Sequence, residues 1–196
     1  MSLESLPVPK AGEFYRAAWI FYLVLAVGGI VWLGLSRERL EWSAFVGEES
    51  WPRDLSAGLA AALFLVAAWR LGRRFFPAMK ELEGQIAAAI GPVERGEVLV
   101  LALLSGFAEE LFFRGAMLGS WGPWVSTALF GLMHSGRGWS FACWTVFALV
   151  AGGVFAALTV LTGNLLAAIV GHVMVNAINL GRLVRSRELR QGSEPQ

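Results

Sequence analysis

The chain has little of what soluble proteins use to face water. Charged side chains make up only 16% of its 196 residues, against 56% hydrophobic ones. A soluble domain rarely exceeds about half apolar residues, and here the excess falls in long blocks, so the expected solvent is lipid. There is one cysteine, Cys143, which excludes an intramolecular disulfide and a cysteine-based metal cluster. Inside an apolar run it reads as a packed membrane-helix residue. The formal net charge of +1 gives no reason to expect nucleic acid as a partner. The N-terminus, MSLESLPVPKAGEFYR, lacks the early basic stretch and short apolar core of a signal peptide. No internal repeat or low-complexity linker interrupts the sequence. The tail SRELRQGSEPQ is polar and is expected to fray.

What is present is a series of apolar blocks. A spanning helix needs roughly 20 mostly apolar residues. Ala17 to Leu35 meets this without an internal charge, and Leu55 to Trp69 meets it if extended through Leu71 and Phe75–Phe76. Val98 to Leu118 is the third candidate, although it contains Glu109, Glu110 and Arg114. Trp121 to His134 is the fourth, with Pro123 near its first turn, where proline is tolerated. Phe141 to Leu161 and Asn164 to Val184 are the fifth and sixth. Pro77 to Ile90 reads as a short amphipathic helix at the membrane interface. The expected fold is thus all-α, a polytopic membrane bundle of about six transmembrane helices around a buried site.

Orientation follows from the basic residues. With the N-terminus in the cytoplasm, Lys10, Arg16, Arg70, Arg73, Arg74, Lys80, Arg95, Arg137, Arg182, Arg185, Arg187 and Arg190 fall inside. Only Arg37, Arg39 and Arg53 fall outside, and Arg114 lies within a span. This split favours six spans with both termini cytoplasmic. Trp19, Trp32, Trp51, Trp69, Trp121, Trp124 and Trp139 fall near predicted ends and read as interfacial anchors.

Ionisable residues deep in a membrane are costly and point to function. In Glu109-Glu110-Leu111-Phe112-Phe113-Arg114, Glu110 and Arg114 are four apart and share a helix face. They can form an internal ion pair, whereas Glu109 is turned about 100° away without a local partner. Glu109 is therefore left for acid–base chemistry; the plain alternative is a buried salt-bridge network. His134 ends the segment Phe130-Gly131-Leu132-Met133-His134, with Phe130 one turn earlier to pack on its ring. Alone, it reads more readily as a hydrogen-bonded core or interface histidine. His172 and Asn176 are i, i+4, so both can donate to one oxygen, as an oxyanion requires. A polar helix–helix contact is their plain alternative, and it explains Asn164 and Asn179 better. At 1.5 Å per residue, Glu109 lies roughly 17 Å, His134 roughly 18–20 Å and His172 roughly 12 Å into their spans. All three fall near the midplane of a core about 30 Å thick, so three helices can converge there.

These residues resemble a family. EELFFR (Glu109 to Arg114) resembles the EExxxR motif of the CPBP family, the CAAX proteases and bacteriocin-processing proteins also called Abi. FGLMH (Phe130 to His134) resembles its FxxxH motif and HVMVN (His172 to Asn176) its HxxxN motif, in family order. The resemblance covers roughly Gly96 to Val184. It divides the chain into an N-terminal part with two spans and the interfacial helix (1–94), a catalytic membrane core (95–185) and a polar cytoplasmic tail (186–196). It implies an intramembrane endopeptidase acting on a membrane-anchored or lipidated protein or peptide. Glu109 and His134 would activate water, His172 and Asn176 would hold the oxyanion, and Glu110, Arg114 and Phe130 would support them. No metal or other cofactor is expected, although Glu109, His134 and His172 could bind zinc with water as fourth ligand; there is no HExxH. The short chain suggests a prokaryotic member in the plasma (inner) membrane. A non-catalytic binding or immunity protein of the same fold, and a small proton-coupled transporter, are the competing functions.

Overall fold

The computed structural model describes residues 12–36 and 41–191, with side chains described through 185. The segment 1–11, including Lys10, therefore lies outside the described residues. So do Arg37 and Arg39 of the outer count and the side chains of Arg187 and Arg190. Among the described residues the chain is helical with no strand. The elements are α1 (Glu13–Ser36), a 3₁₀ turn (Trp42–Ala44), α2 (Trp51–Phe75), α3 (Pro77–Ile90) and α4 (Arg95–Glu109). A π-helical stretch (Glu110–Met117), α5 (Leu118–Met133), α6 (Trp139–Thr162) and α7 (Leu166–Gln191) follow.

Local chemistry sets the boundaries. Pro77 opens α3 at its first turn, and a reciprocal capping box between Glu94 and Glu97 opens α4, satisfying amides that the helix start leaves free. Gly163, at φ 74°, ends α6 in the left-handed conformation that glycine adopts without strain. Asn164 then starts α7: its Oδ1 accepts the Leu166 amide at 2.9 Å, while its Nδ2 donates to buried Asp54 of α2 at 2.7 Å. Asn164 thus serves both as a helix start and as a contact between helices. Within α5, Gly122 (φ 82°, ψ 167°) breaks the helix, so Pro123 opens its second part. At its end, α7 keeps its helical backbone to Gln191, seven residues beyond the predicted Val184.

All six predicted spans are helices. Four of them, α1, α2, α6 and α7, are long and apolar enough to cross a bilayer by length and composition. The motif-bearing stretches are interrupted, by the π-helix after α4 and by Gly122 in α5. The outer surface is apolar: Ile20, Leu23, Val24, Val27, Ile30 and Val31 of α1 are all exposed. An apolar band of this extent belongs in lipid. Inside, α7 packs chiefly on α2 and α4, with Leu65, Phe155, Ala168 and Val175 at the centre of one core. Trp69 departs from the anchor role read from sequence. It is 6% exposed, packs with Met79 and Leu82 of α3, and donates to Glu83 at 3.0 Å.

Close helix approaches align the site. A Cβ on Gly106 of α4 would lie 2.8 Å from the Val173 backbone nitrogen of α7, and one on Gly58 would lie 2.5 Å from the Ala167 oxygen. Only glycine lets these backbones meet, as small residues do between membrane helices. The Gly106–Val173 contact joins the segment carrying Ser105 and Glu109 to the one carrying His172 and Asn176.

Candidate active site

Glu109 is the last α-helical residue of α4, and Glu110 opens the π-helical stretch. There the turn widens toward i→i+5 bonding, a distortion frequent at functional sites. The Glu110 amide is shared between the Gly106 and Phe107 carbonyls. Ser126 of α5 donates to the Phe113 carbonyl at 2.7 Å, satisfying backbone within the widened segment. The two adjacent glutamates consequently serve two separate clusters.

The first cluster joins Glu109 and His134. Glu109 is 5% exposed, and its Oε2 is buried with no hydrogen-bond partner. His134 caps α5, and its Nδ1 sits 2.8 Å from the Phe130 carbonyl oxygen. A carbonyl can only accept, so Nδ1 carries a proton, and in the neutral tautomer Nε2 is the acceptor. That Nε2 lies 3.8 Å from Glu109 Oε2. Phe130 packs on the ring at 4.7 Å between centroids, and Thr145 donates to the His134 carbonyl at 3.2 Å. The imidazole is thus held on two sides.

The second cluster centres on Glu110. Its Oε1 accepts from Arg114 Nη1 at 2.9 Å and from His172 Nδ1 at 2.7 Å. The pair read from the i, i+4 spacing is present, but Glu110 also orients a histidine of α7. Arg114 Nη2 donates to the Gly152 carbonyl at 3.0 Å, and its guanidinium lies 4.2 Å from the Phe130 ring centre. His172 stacks on Phe155 with centroids 5.1 Å apart. Glu110, Arg114 and His172 are all buried.

A cavity of about 380 Å³ opens beside Glu109. Glu109, His134 and Asn176 line it together with Ser105, Tyr22 and Asn179, amid mostly apolar side chains that include Trp69, Phe141 and Leu183. Glu110, Arg114 and His172 do not line it. His172 and Asn176 therefore share a face of α7 but differ in partner, since Asn176 Nδ2 donates to Ser105 Oγ at 2.8 Å. Asn179 Oδ1 is buried without a partner, so this atom does not make the interhelical bond expected of that residue.

Sequence reasoning missed Tyr22 and Ser105. Ser105 stands one turn before Glu109, a spacing that could have revealed it. Tyr22 gave no signal, because a tyrosine in an apolar helix reads as an amphipathic packing residue. The zinc set left open by the sequence is not assembled: His134 faces Glu109, while His172 is bound to Glu110. Among the described residues no three His, Cys, Asp or Glu side chains are gathered as a metal site needs.

The chain is a helical membrane bundle with an apolar cavity that has a buried glutamate and a histidine on its wall. Residues 94–178 match the family model described as Rce1-like, type II CAAX prenyl endopeptidase. The three motifs, Glu109 to Arg114, Phe130 to His134 and His172 to Asn176, all lie within the matched residues. No curated protein and no solved structure is significantly similar to it.

Proposed function

We propose that the chain is an intramembrane endopeptidase that hydrolyses a peptide bond with water activated by Glu109 and His134. One observation carries this reading. Two acceptors, Glu109 Oε2 and His134 Nε2, face each other 3.8 Å apart beside an apolar cavity. One water oxygen can stand about 2.8 Å from both, donating one hydrogen to each. Its lone pair is then free for a carbonyl carbon.

In the proposed reaction, Glu109 takes the water proton as the oxygen attacks, and the carbonyl electron pair moves onto oxygen. Asn176, which lines the cavity, donates to that oxyanion, while His172, on the same face of α7 but off the cavity wall, holds Glu110 through Nδ1. Collapse breaks the C–N bond as Glu109 passes its proton to the leaving nitrogen. The mechanism uses no metal.

The cavity lies at one end of the bundle. Its walls come from the first half of α1, the end of α2, α3, the start of α6 and the second half of α7. Arg70, Arg73, Arg74, Lys80, Arg95 and Arg137 lie in the same group of segments, which makes this the cytoplasmic side under the positive-inside rule. The substrate is accordingly a membrane-anchored or lipidated polypeptide presented from the cytoplasm.

The test is cleavage of a membrane-anchored peptide library by detergent-purified protein, with Glu109→Gln and His134→Ala alongside and a chelator arm for each. Cleavage that resists chelation and is lost in both variants supports the proposal. Cleavage abolished by chelation and restored by zinc overturns the metal-free mechanism. Peptide binding without cleavage in wild type replaces the enzyme with a binding protein.

A further inference from the structure

We propose that Tyr22 of α1 is a positioning residue of this site, joined through its hydroxyl to Ser105 and Glu109. The inference rests on the reading of Glu109 above, but it concerns a helix outside the residues matched to the family, 94–178.

Register argues it first. α1 meets the π-helical stretch where a Cβ on Gly29 would lie 3.2 Å from the Phe112 backbone nitrogen. Tyr22 and Ser105 each lie seven residues before these positions, about two helical turns or roughly 10 Å. Two helices running side by side in one direction keep such a register. The contact at Gly29 therefore brings Tyr22 level with Ser105, one turn before Glu109. Lining argues it second. Phe14, Ala18 and Tyr22, spaced four apart, form the stripe of α1 that walls the cavity, so the hydroxyl faces inward and not toward lipid.

Hydrogen-bond direction completes the case. Tyr22, Ser105 and Glu109 line one cavity together, so Ser105 and Glu109 are polar neighbours of the phenol there. Asn176 Nδ2 donates to Ser105 Oγ at 2.8 Å. The Ser105 hydroxyl donates to the Ala102 carbonyl at a long 3.3 Å; turned instead to the phenol oxygen, it lets the phenol donate to the carboxylate. Each hydroxyl then accepts one bond and donates one, as its inventory allows. The chain runs from Asn176 through Ser105 and Tyr22 to Glu109. It fixes the amide proposed for the oxyanion relative to the carboxylate proposed as base. It also leaves Glu109 Oε2 unpartnered for water.

The experiment uses the full-length protein in detergent and compares wild type, Tyr22→Phe, Glu109→Gln and the lipid-facing control Phe21→Leu. Tyr22→Phe keeps the ring and removes only the oxygen. Two readouts are taken: peptide cleavage, resolved into kcat and KM, and labelling of Glu109 by dicyclohexylcarbodiimide, located by mass spectrometry with Glu109→Gln as blank. Tyr22→Phe is expected to lower kcat roughly tenfold with little change in KM, the size of one hydrogen bond to a charged group. Glu109 is expected to label faster, because a carboxylate oxygen has lost its hydroxyl neighbour. Phe21→Leu is expected to match wild type in both. Unchanged labelling in Tyr22→Phe overturns the proposal whatever the activity. A wild type that labels at Glu109 and responds to Tyr22→Phe but cleaves nothing retains the positioning role and overturns the protease reading alone.

Discussion

Glu109 and Glu110 are neighbours in sequence with separate surroundings. Glu109 faces a cavity and a histidine nitrogen; Glu110 is held by a guanidinium and a second imidazole. Substituting them should therefore give different failures. Glu109→Gln keeps the shape and removes the base, so cleavage should fall about a hundredfold to ten-thousandfold while the melting temperature in detergent stays near wild type. Arg114→Ala should act on stability instead. It leaves a buried carboxylate short of a cation and strips the contact over Phe130, at a cost of about 3–5 kcal/mol for breaking a buried pair. A lower melting temperature and loss of monodispersity would register it; a wild-type melting curve would contradict the buried network described here.

At the scale of elements, the π-helical stretch and the glycine contacts set which side chains meet. Gly106 allows α4 to touch α7 beside both halves of the site. A valine there drives its side chain into Val173 backbone and must part the helices, an overpacking cost of about 1–3 kcal/mol. Gly106→Val should therefore weaken cleavage and also separate Ser105 from Asn176. Disulfide trapping between cysteines introduced on α4 and α7, in a Cys143→Ala background, would report the separation: undiminished trapping would contradict the close approach. Helix α3 lies at the mouth of the cavity, tied to α2 by the Arg73–Glu83 ion pair at 2.8 Å and the Trp69 indole bond. The interfacial helix read from sequence is therefore also a wall of the cavity.

For the whole molecule, the proposed orientation makes a simple prediction. Ser135, in the α5–α6 turn, and Ser43, in the 3₁₀ turn after α1, are both exposed. In a Cys143→Ala background, a membrane-impermeant maleimide applied to intact cells should label Ser43→Cys and spare Ser135→Cys until the membrane is opened. The reverse pattern would turn the cavity mouth outward and require a substrate from the other side. Cleavage by the purified protein should likewise persist after exhaustive chelation, because the chemistry assigned to Glu109 and His134 needs only water.

The sequence by itself determined the helices and the residues at risk of being functional. Long apolar blocks have no stable form in lipid other than helix, and charges among them are too costly to lack a purpose. Hence α3 was bounded correctly, Glu109, His134, His172 and Asn176 stood out, and the Glu110–Arg114 pair followed from spacing. What only the tertiary structure decided is how these groups are shared. Periodicity assumes 3.6 residues per turn throughout, so it separated Glu109 from Glu110 but carried no sign of the π-helical stretch or of His134 and His172 as their respective partners. It also gave His172 and Asn176 one common space, whereas packing ties His172 to Glu110 and Asn176 to Ser105 at the cavity wall. Tyr22 entered the site for a similar reason: its position depends on the register of α1 against Phe112, a contact between residues more than eighty apart in the chain. Pairings of that kind depend on which backbones can approach, and a local pattern along the chain holds no record of them.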